Sequence, residues 1–576
     1  MSLSMGIPDE VVSRFLASYM HTRRWIDISH PLTAPAEPLS EYDALFIDAR
    51  HMAEPALDEL LSHEWLSLGI HGALFIFTAP EMFLSDAFWR RQRLLAYESC
   101  EVSWNGERAR AIMIVRANYN PVRHARELCT QGNPIAGLEV LLKIPERLIG
   151  DDGARGLIAS EKLSCMLARD NCMGEEGRIN RLARALNEFY LAATFLPTYH
   201  PAYQTQALFW ARIGRGDMAR RALRSVLHAA PDTQTQEILD SLPLQPEIKQ
   251  DEVPIRLWRE DEPLRLLYLM PPGPDYGTDV LYHGLCLVLS EKNVAEFPWK
   301  PTLHGSIPAA HKDYPCLFEH PGKPLMPEEI IQRLQEKKID AILLSDVLGA
   351  LDTGLIQTIL QAAKDTPIIV VDMWDQCGDY KKDMEARLGF VARGQFKREM
   401  LCGAAYSPNT FPLSFAYPDE RIPKQVDFNG RDGMFWAGKA QYGTRRLTLE
   451  WLEQTFGFRW QDHFSQTEYT NVLQEAAIGL CLFGNGFDTV RYWEVPAHGA
   501  MLLAERPPIH IPENFKDGES AVFFDDLPDL EEKLGFYLQH PDQVRDIAEQ
   551  GHRHLKTHHA ASARARQFLT ALHRFL

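Results

Sequence analysis

The nine residues 438–446 (GKAQYGTRR) hold two glycines, Gly438 and Gly443, and three cations, Lys439, Arg445 and Arg446, in a chain of net charge −18. Such a cluster makes a local positive site of the kind a pyrophosphate needs, and a solvated basic loop is the alternative reading. Further on, 488–505 (DTVRYWEVPAHGAMLLAE) places Thr489, Arg491 and Glu494 early in a helix, before Pro496, Gly499 and a short apolar run. A guanidinium fork suits phosphate oxygens, and an ionised carboxylate accepts hydrogen bonds from hydroxyls. Amides at the start of that helix favour anions, and Gly499 permits a sharp helix-to-strand turn. A helix cap with an ion pair is the alternative here.

The order Arg-x-x-Glu-x-Pro-Ala-x-Gly-Ala before an apolar strand resembles the donor-binding element of family 1/4-like GT-B glycosyltransferases, the CgeB-like group especially. The resemblance implies that Arg491 reaches a diphosphate and that Glu494 accepts from ribose hydroxyls. It also implies that Gly438, Lys439, Arg445 and then Arg446, with Thr489, line the donor phosphates. The run 515–551 and the later 560–569 (AASARARQFL), with Arg564, follow the same family's ending, so the resemblance spans about 300 residues in the right order. What it implies is a pair of Rossmann-like domains and a nucleotide-sugar co-substrate, a UDP-sugar first, with no cofactor and no essential metal. One departure stands out. The family pattern has a second glutamate eight positions before Glu494, in contact with the sugar, and Gly486 stands there. Sugar identity and stereochemistry are therefore open.

An inverting enzyme of this kind needs a base in its first Rossmann domain. Asp279, His283, Asp346 and Asp372, with Asp375 beside the last, are the candidates. Each has a structural alternative: a helix cap for Asp279 and Asp346, a packed ring for His283. A retaining enzyme needs no protein base. The histidines His552, His554, His558 and His559 read as solvated residues of a charged helical tail rather than metal ligands.

The elements that must carry these residues are short apolar runs alternating with helical text, the pattern of an α/β fold with parallel sheets. In 264–415, strands are expected at 264–270, 341–345 and 367–371, with a helix from Asp279 onward. In 416–576 they are expected at 433–437, 478–483, 501–504 and 521–524. Ligands on such sheets sit at the carboxyl ends of strands. A polar, proline-containing stretch, 243–263, reads as a linker.

Upstream, 119–245 is helical and repetitive. Ala185, Phe189 and Pro197 recur in character at an offset of 34 as Ala219, Leu223 and Pro231, with a weaker copy at 132–145. That period resembles tetratricopeptide repeats, whose groove binds peptides, or else marks a helical spacer. A peptide-recruiting array implies a protein or peptide acceptor, and its removal should spare donor chemistry. Residues 1–118 form a small α/β segment with strands at 42–48, 73–78 and 110–116 and an apolar-periodic stretch through Trp65. It resembles the second half of a class I methyltransferase without the glycine-rich cofactor loop.

With 45% hydrophobic and 24% charged residues over 576 positions, the composition is that of an ordinary soluble multidomain protein. The acidic balance argues against nucleic acid as partner. No apolar run approaches a membrane span, no secretory leader opens the chain, and the nine cysteines form no CxxC pair, so a reducing cytoplasmic address is expected. A bacterial enzyme modifying proteins or surface glycans fits. Two other readings remain: a nucleotide-sugar epimerase on the same fold, and a non-catalytic scaffold.

Overall fold

The computed structural model describes residues 25–27, 44–53, 55–57, 73–79, 94–104, 107–116, 121–142, 152–243, 264–306, 314–461 and 464–576. Most of the expected linker and of the stretch through Trp65 lies outside them. The chain forms two compact units: Met1–Gly174 with Leu191–Thr205, and Glu175–Tyr190 with Gln206–Leu576.

In the first unit, β1 (Trp25–Asp27), β2 (Ala44–Asp48) and β3 (Ala73–Thr78) run parallel. β5 (Glu107–Arg116) pairs antiparallel with β3 and with β4 (Leu94–Trp104), giving the order β1-β2-β3-β5-β4. The sequence marks β2, β3 and β5 but not the edge strand β4, whose text (LLAYESCEVSW) carries charge and alternates. Next come α1 (Pro121–Thr130), α2 (Pro134–Leu142) and α3 (Asp152–Asn171), packed around Ala125, Leu138, Leu141 and Cys165. Gly137 lets α2 approach closely, since a Cβ there would meet the Ala125 carbonyl oxygen at 2.7 Å.

The stretch 178–241 forms four helices, α4 (Arg178–Phe195), α5 (His200–Arg212), α6 (Gly216–Ala229) and α7 (Thr233–Ser241), the last two packed on each other. Ala185 and Ala219 are both buried. Those of their residues that lie in the second unit, Asn180, Arg215, Arg221, Arg224 and Ser225, bond to the sheet segments of that unit. Arg215 donates to the carbonyls of Cys402 and Pro508, each at 3.2 Å. Arg221 pairs with Asp525 at 2.6 Å and Arg224 with Asp526 at 2.7 Å. The Ser225 hydroxyl accepts from the Leu527 amide at 3.2 Å, and Asn180 bonds both backbone groups of Asp379. Deleting 119–245 therefore removes hydrogen-bond and ion-pair partners of 379, 402, 508 and 525–527 within the second unit, the buried Arg215 among them.

The first sheet of this unit contains β6 (Leu266–Leu269), β7 (Val294–Phe297), β8 (Ala341–Leu344), β9 (Ile368–Asp372), β10 (Gly394–Lys397) and β11 (Thr410–Pro412). All pairings are parallel, in the order β11-β10-β9-β8-β6-β7. Alternate residues feed opposite faces, so the strands read as continuous apolar runs. Leu266, Tyr268, Leu343 and Ile369 pack with α8 (Tyr276–Leu289). Leu267, Leu269, Ile342 and Val370 pack with α9 (Pro327–Gln335), α10 (Thr353–Ala362) and α11 (Lys381–Leu388). The N-cap of α8 is Asp275, which accepts from the Thr278 amide, and not Asp279.

The second sheet is β12 (Asp432–Phe435), β13 (Ala476–Cys481), β14 (Met501–Glu505) and β15 (Val522–Phe524), parallel and in chain order. Around it lie α12 (Arg445–Phe456), α13 (Gln466–Glu475), α14 (Val490–Ala497), α15 (Leu527–Tyr537) and α16 (Pro541–His558). The last helix, α17 (Ala561–Leu572), leaves this domain. Its Ala565, Phe568 and Leu572 complete the core of the first sheet, and Gly284 in α8 gives Ala561 room to pass. Among the described residues no helix is long and apolar enough to cross a membrane.

Candidate functional site

The loops after β12 and β13 converge at the carboxyl ends of their strands. Gly443 sits at φ +62°, and a Cβ there would meet the Gly484 carbonyl oxygen at 2.8 Å. Gly438, at φ +140°, leaves space that the Arg491 guanidinium fills: a Cβ would stand 2.5 Å from one of its nitrogens. Arg491, from the first turn of α14, lies 5.3 Å from the ring centre of the buried Trp436. It forms no salt bridge among the described residues, and its Nε is buried without a hydrogen-bond partner there. An orphaned N–H of this kind costs stability unless a ligand satisfies it.

One turn on, Glu494 is half-buried and accepts from the Tyr469 hydroxyl at 2.8 Å. Burial pushes its carboxyl above the ordinary value, against the pull of Arg491, Tyr469 and Arg421. Tyr469 and Arg421 were not singled out by the sequence. Arg421 is half-buried with no ion pair among the described residues, and only its influence on Glu494 marks it as part of the site.

The other sequence candidates divide. Lys439 is exposed beside Gly438. Arg445 is 7% exposed and directed inward: Nε donates to the Phe483 carbonyl at 2.8 Å and a terminal nitrogen to that of Lys439 at 3.1 Å. Burial, together with the nearby Arg491 charge, pushes it down to about 10. Arg445 therefore braces the two loops against each other instead of presenting its fork. Arg446 pairs with Glu450 along the surface of α12 at 2.6 Å. Thr489 is the N-cap of α14, with its hydroxyl 3.3 Å from the Cys481 sulfur.

On the first domain, three of the four acidic or basic candidates are enclosed. Asp279 is fully buried against Lys300 and accepts from the Tyr314 hydroxyl at 2.8 Å, burial raising its carboxyl. Asp346 accepts from the Ala350 amide at 2.7 Å and pairs with Arg387 at 2.8 Å. It shapes the loop before α10, whose cap is Asp352. Asp372 is buried against Lys397 at 2.8 Å, burial again raising it, and Asp375 pairs with Arg398. Asp279, Asp346 and Asp372, buried against fixed cations, are not free to take a proton from an incoming group.

His283 differs. Its Nε2 lies 2.9 Å from a Glu420 oxygen and its Nδ1 2.9 Å from Nε2 of His320, with the ring stacked on Phe318. Glu420 is exposed and adjoins Arg421, so this dyad reaches the edge of the same site. Burial works against the Glu420 charge, but the His283 hydrogen bond and charge, with Arg421 adding to them, together hold the carboxyl below its ordinary value. Burial also pushes the His320 ring down to about 4, which keeps it neutral.

Of the four C-terminal histidines, His552 and His559 are buried, while His554 and His558 are partly exposed. His559 is fully buried beside Arg564, 2.6 Å away, and His552 bonds the Pro496 carbonyl at 3.0 Å. α16 packs against α14 and β14, which puts the rings of His552 and His559 inside. Among the described residues no group of His, Cys, Asp and Glu could hold a metal ion.

Residues 430–570 match the glycosyl transferase-like family model. No curated protein matches the chain. Among solved structures, an O-GlcNAc transferase of Thermobaculum terrenum is similar at 13% identity and TM-score 0.35, over 79% of this chain and 96% of that one. HepE of Anabaena in complex with UDP-glucose is similar at 8% identity and TM-score 0.34, over 54% and 99%. Sucrose-phosphate synthase of Thermosynechococcus elongatus is similar at 12% and 0.30, over 54% and 98%.

Proposed function

We propose that this chain, whose residues 430–570 form a glycosyl transferase-like domain, moves a sugar from a nucleoside diphosphate sugar to an acceptor. The observation that carries the reading is Arg491, a cation with an orphaned N–H lying against Gly438, one helical turn from the Glu494 carboxylate. A diphosphate supplies the oxygens that Arg491 lacks, with Lys439 and Arg421 as further cations, and ribose hydroxyls supply donors for Glu494. A UDP-sugar is the first donor to test.

In the reaction, the bond between the anomeric carbon and the diphosphate oxygen breaks and one to the acceptor oxygen forms. The cations stabilise the charge that develops on the leaving diphosphate. For inversion, the acceptor proton passes to Glu420, backed by His283. The acceptor is a protein or peptide presented by the helical segment. Calorimetric titration with UDP, GDP and CMP tests the donor half: one nucleotide binds the wild type and binds Arg491→Ala and Glu494→Ala more weakly. If none binds the wild type, the scaffold reading replaces this one.

A further inference from the structure

Gly486 has no side chain where the sequence pattern leads one to expect a glutamate, yet a carboxylate stands there. A Cβ built on Gly486 would lie 2.5 Å from a carboxylate oxygen of Glu399 and 3.4 Å from a nitrogen of Arg398. Glu399 follows β10 in the other Rossmann domain and is completely buried. Its two oxygens accept from the Phe487 amide at 2.9 Å and the Asp488 amide at 3.1 Å. Arg398, also completely buried, donates to the Asp488 carbonyl at 2.5 Å and lies 3.0 Å from Glu399. Asp488 answers in the opposite direction: its carboxylate accepts from the Phe415 amide at 2.7 Å and from the Trp493 indole at 2.7 Å. Residues 398, 399 and 415 thus hold 486–488, the loop that leads into α14.

We propose that Glu399 is a positioning residue of the donor site, its carboxylate filling the volume a side chain at 486 would occupy and setting the loop from which Arg491 and Glu494 project. The inference rests on the donor reading above. Two consequences follow from the geometry. The amides of Phe487 and Asp488 are already satisfied, so the donor phosphates meet side chains and not these backbone groups. A Cβ at position 486 displaces the Glu399 carboxylate from the Phe487 and Asp488 amides. A buried carboxylate that loses its amide partners is left uncompensated, so the loop and Glu399 are fixed together.

The test compares UDP binding by calorimetry in the full-length wild type, Gly486→Ala, Glu399→Ala and the double variant Glu399→Ala/Gly486→Glu, which returns the carboxylate from the loop itself. Each single variant is expected to weaken UDP about tenfold, the scale of one charge-assisted hydrogen bond. The double variant is expected to recover to within about threefold of wild type, a rescue that general destabilisation does not give. If Glu399→Ala fails to fold, Gly486→Ala carries the comparison with Glu399 intact. A wild type that binds no nucleotide overturns the donor reading. A wild type that binds, with both single variants binding equally well or with no recovery in the double, overturns the positioning role alone.

Discussion

Replacing Arg491 by alanine should separate ligand binding from folding. The guanidinium carries a buried Nε with no partner and lies near the like charge of Arg445. Its removal sacrifices the contact with Trp436, about 0.5–2 kcal/mol, and relieves an unsatisfied donor of similar cost. The ligand-free stability is therefore expected to move by no more than about 1 kcal/mol. Donor binding behaves otherwise. A hydrogen bond to a charged group contributes ~1.5–3 kcal/mol, so UDP should bind roughly 10- to 150-fold more weakly. With UDP at a hundred times the wild-type Kd, binding stabilises the wild type by about 2.7 kcal/mol and the variant by only about 0.3–1.4 kcal/mol. Paired urea unfolding curves with and without UDP measure both quantities at once. Full UDP stabilisation in the variant, or a ligand-free loss as large as the missing ligand effect, would refute the placement of the diphosphate at Arg491.

Four further outcomes follow from the same structure. Gly438→Ala forces a side chain to φ +140° and into Arg491, so UDP affinity should fall by at least about tenfold in the same titration. Trp210 is 1% exposed with its ring centre 6.3 Å from that of Phe487 in the donor loop; Trp210→Ala should cost ~3–5 kcal/mol in urea unfolding and weaken UDP, and a variant with wild-type affinity would show that the helices do not buttress the loop. Burial, with Arg431 adding to it, pushes His498 down to about 4. Between pH 6.5 and 4 the unfolded ring binds a proton that the folded ring does not, so this residue's contribution is lost as pH falls. His498→Gln should therefore retain more of its pH 7 stability at pH 4.5 than the wild type does, by up to about 3 kcal/mol, and parallel pH curves would contradict this. Glu420→Gln and His283→Ala should lower transfer to acceptor by about a hundredfold while leaving the UDP Kd within about twofold; unchanged transfer would remove the dyad from the chemistry.

The strands that the sequence reveals are those with no polar interruption. AILL of β8, IIVVD of β9 and MLLAE of β14 are buried on both faces and read as apolar runs. β10 (GQFK) and β7 (VAEF) escape notice because they bury Gln395, Lys397 and Glu296, whose partners Asp372, Asp379, Tyr282 and His304 come from distant text. Arg491 and Glu494 are legible because both lie on one local pattern. Arg445 has the right type and spacing for a phosphate ligand, yet the carbonyls of Phe483 and Lys439 take its donors, which spacing does not reveal. In the proposed site, Glu399 and Glu420 act through contacts made across two domains, and no local motif surrounds them. The helices over 178–241 are legible in their apolar spacing, but the bonds that Arg215, Arg221 and Arg224 make to Cys402, Asp525 and Asp526 are tertiary and hence silent in the sequence.

The most direct test of sugar transfer is mass-spectrometric detection of UDP released from a panel of UDP-sugars, with wild type beside Glu494→Ala. Release from one sugar by the wild type, lowered at least about tenfold in the variant, is the result the account predicts. No release from any sugar, or equal release by both proteins, would contradict it.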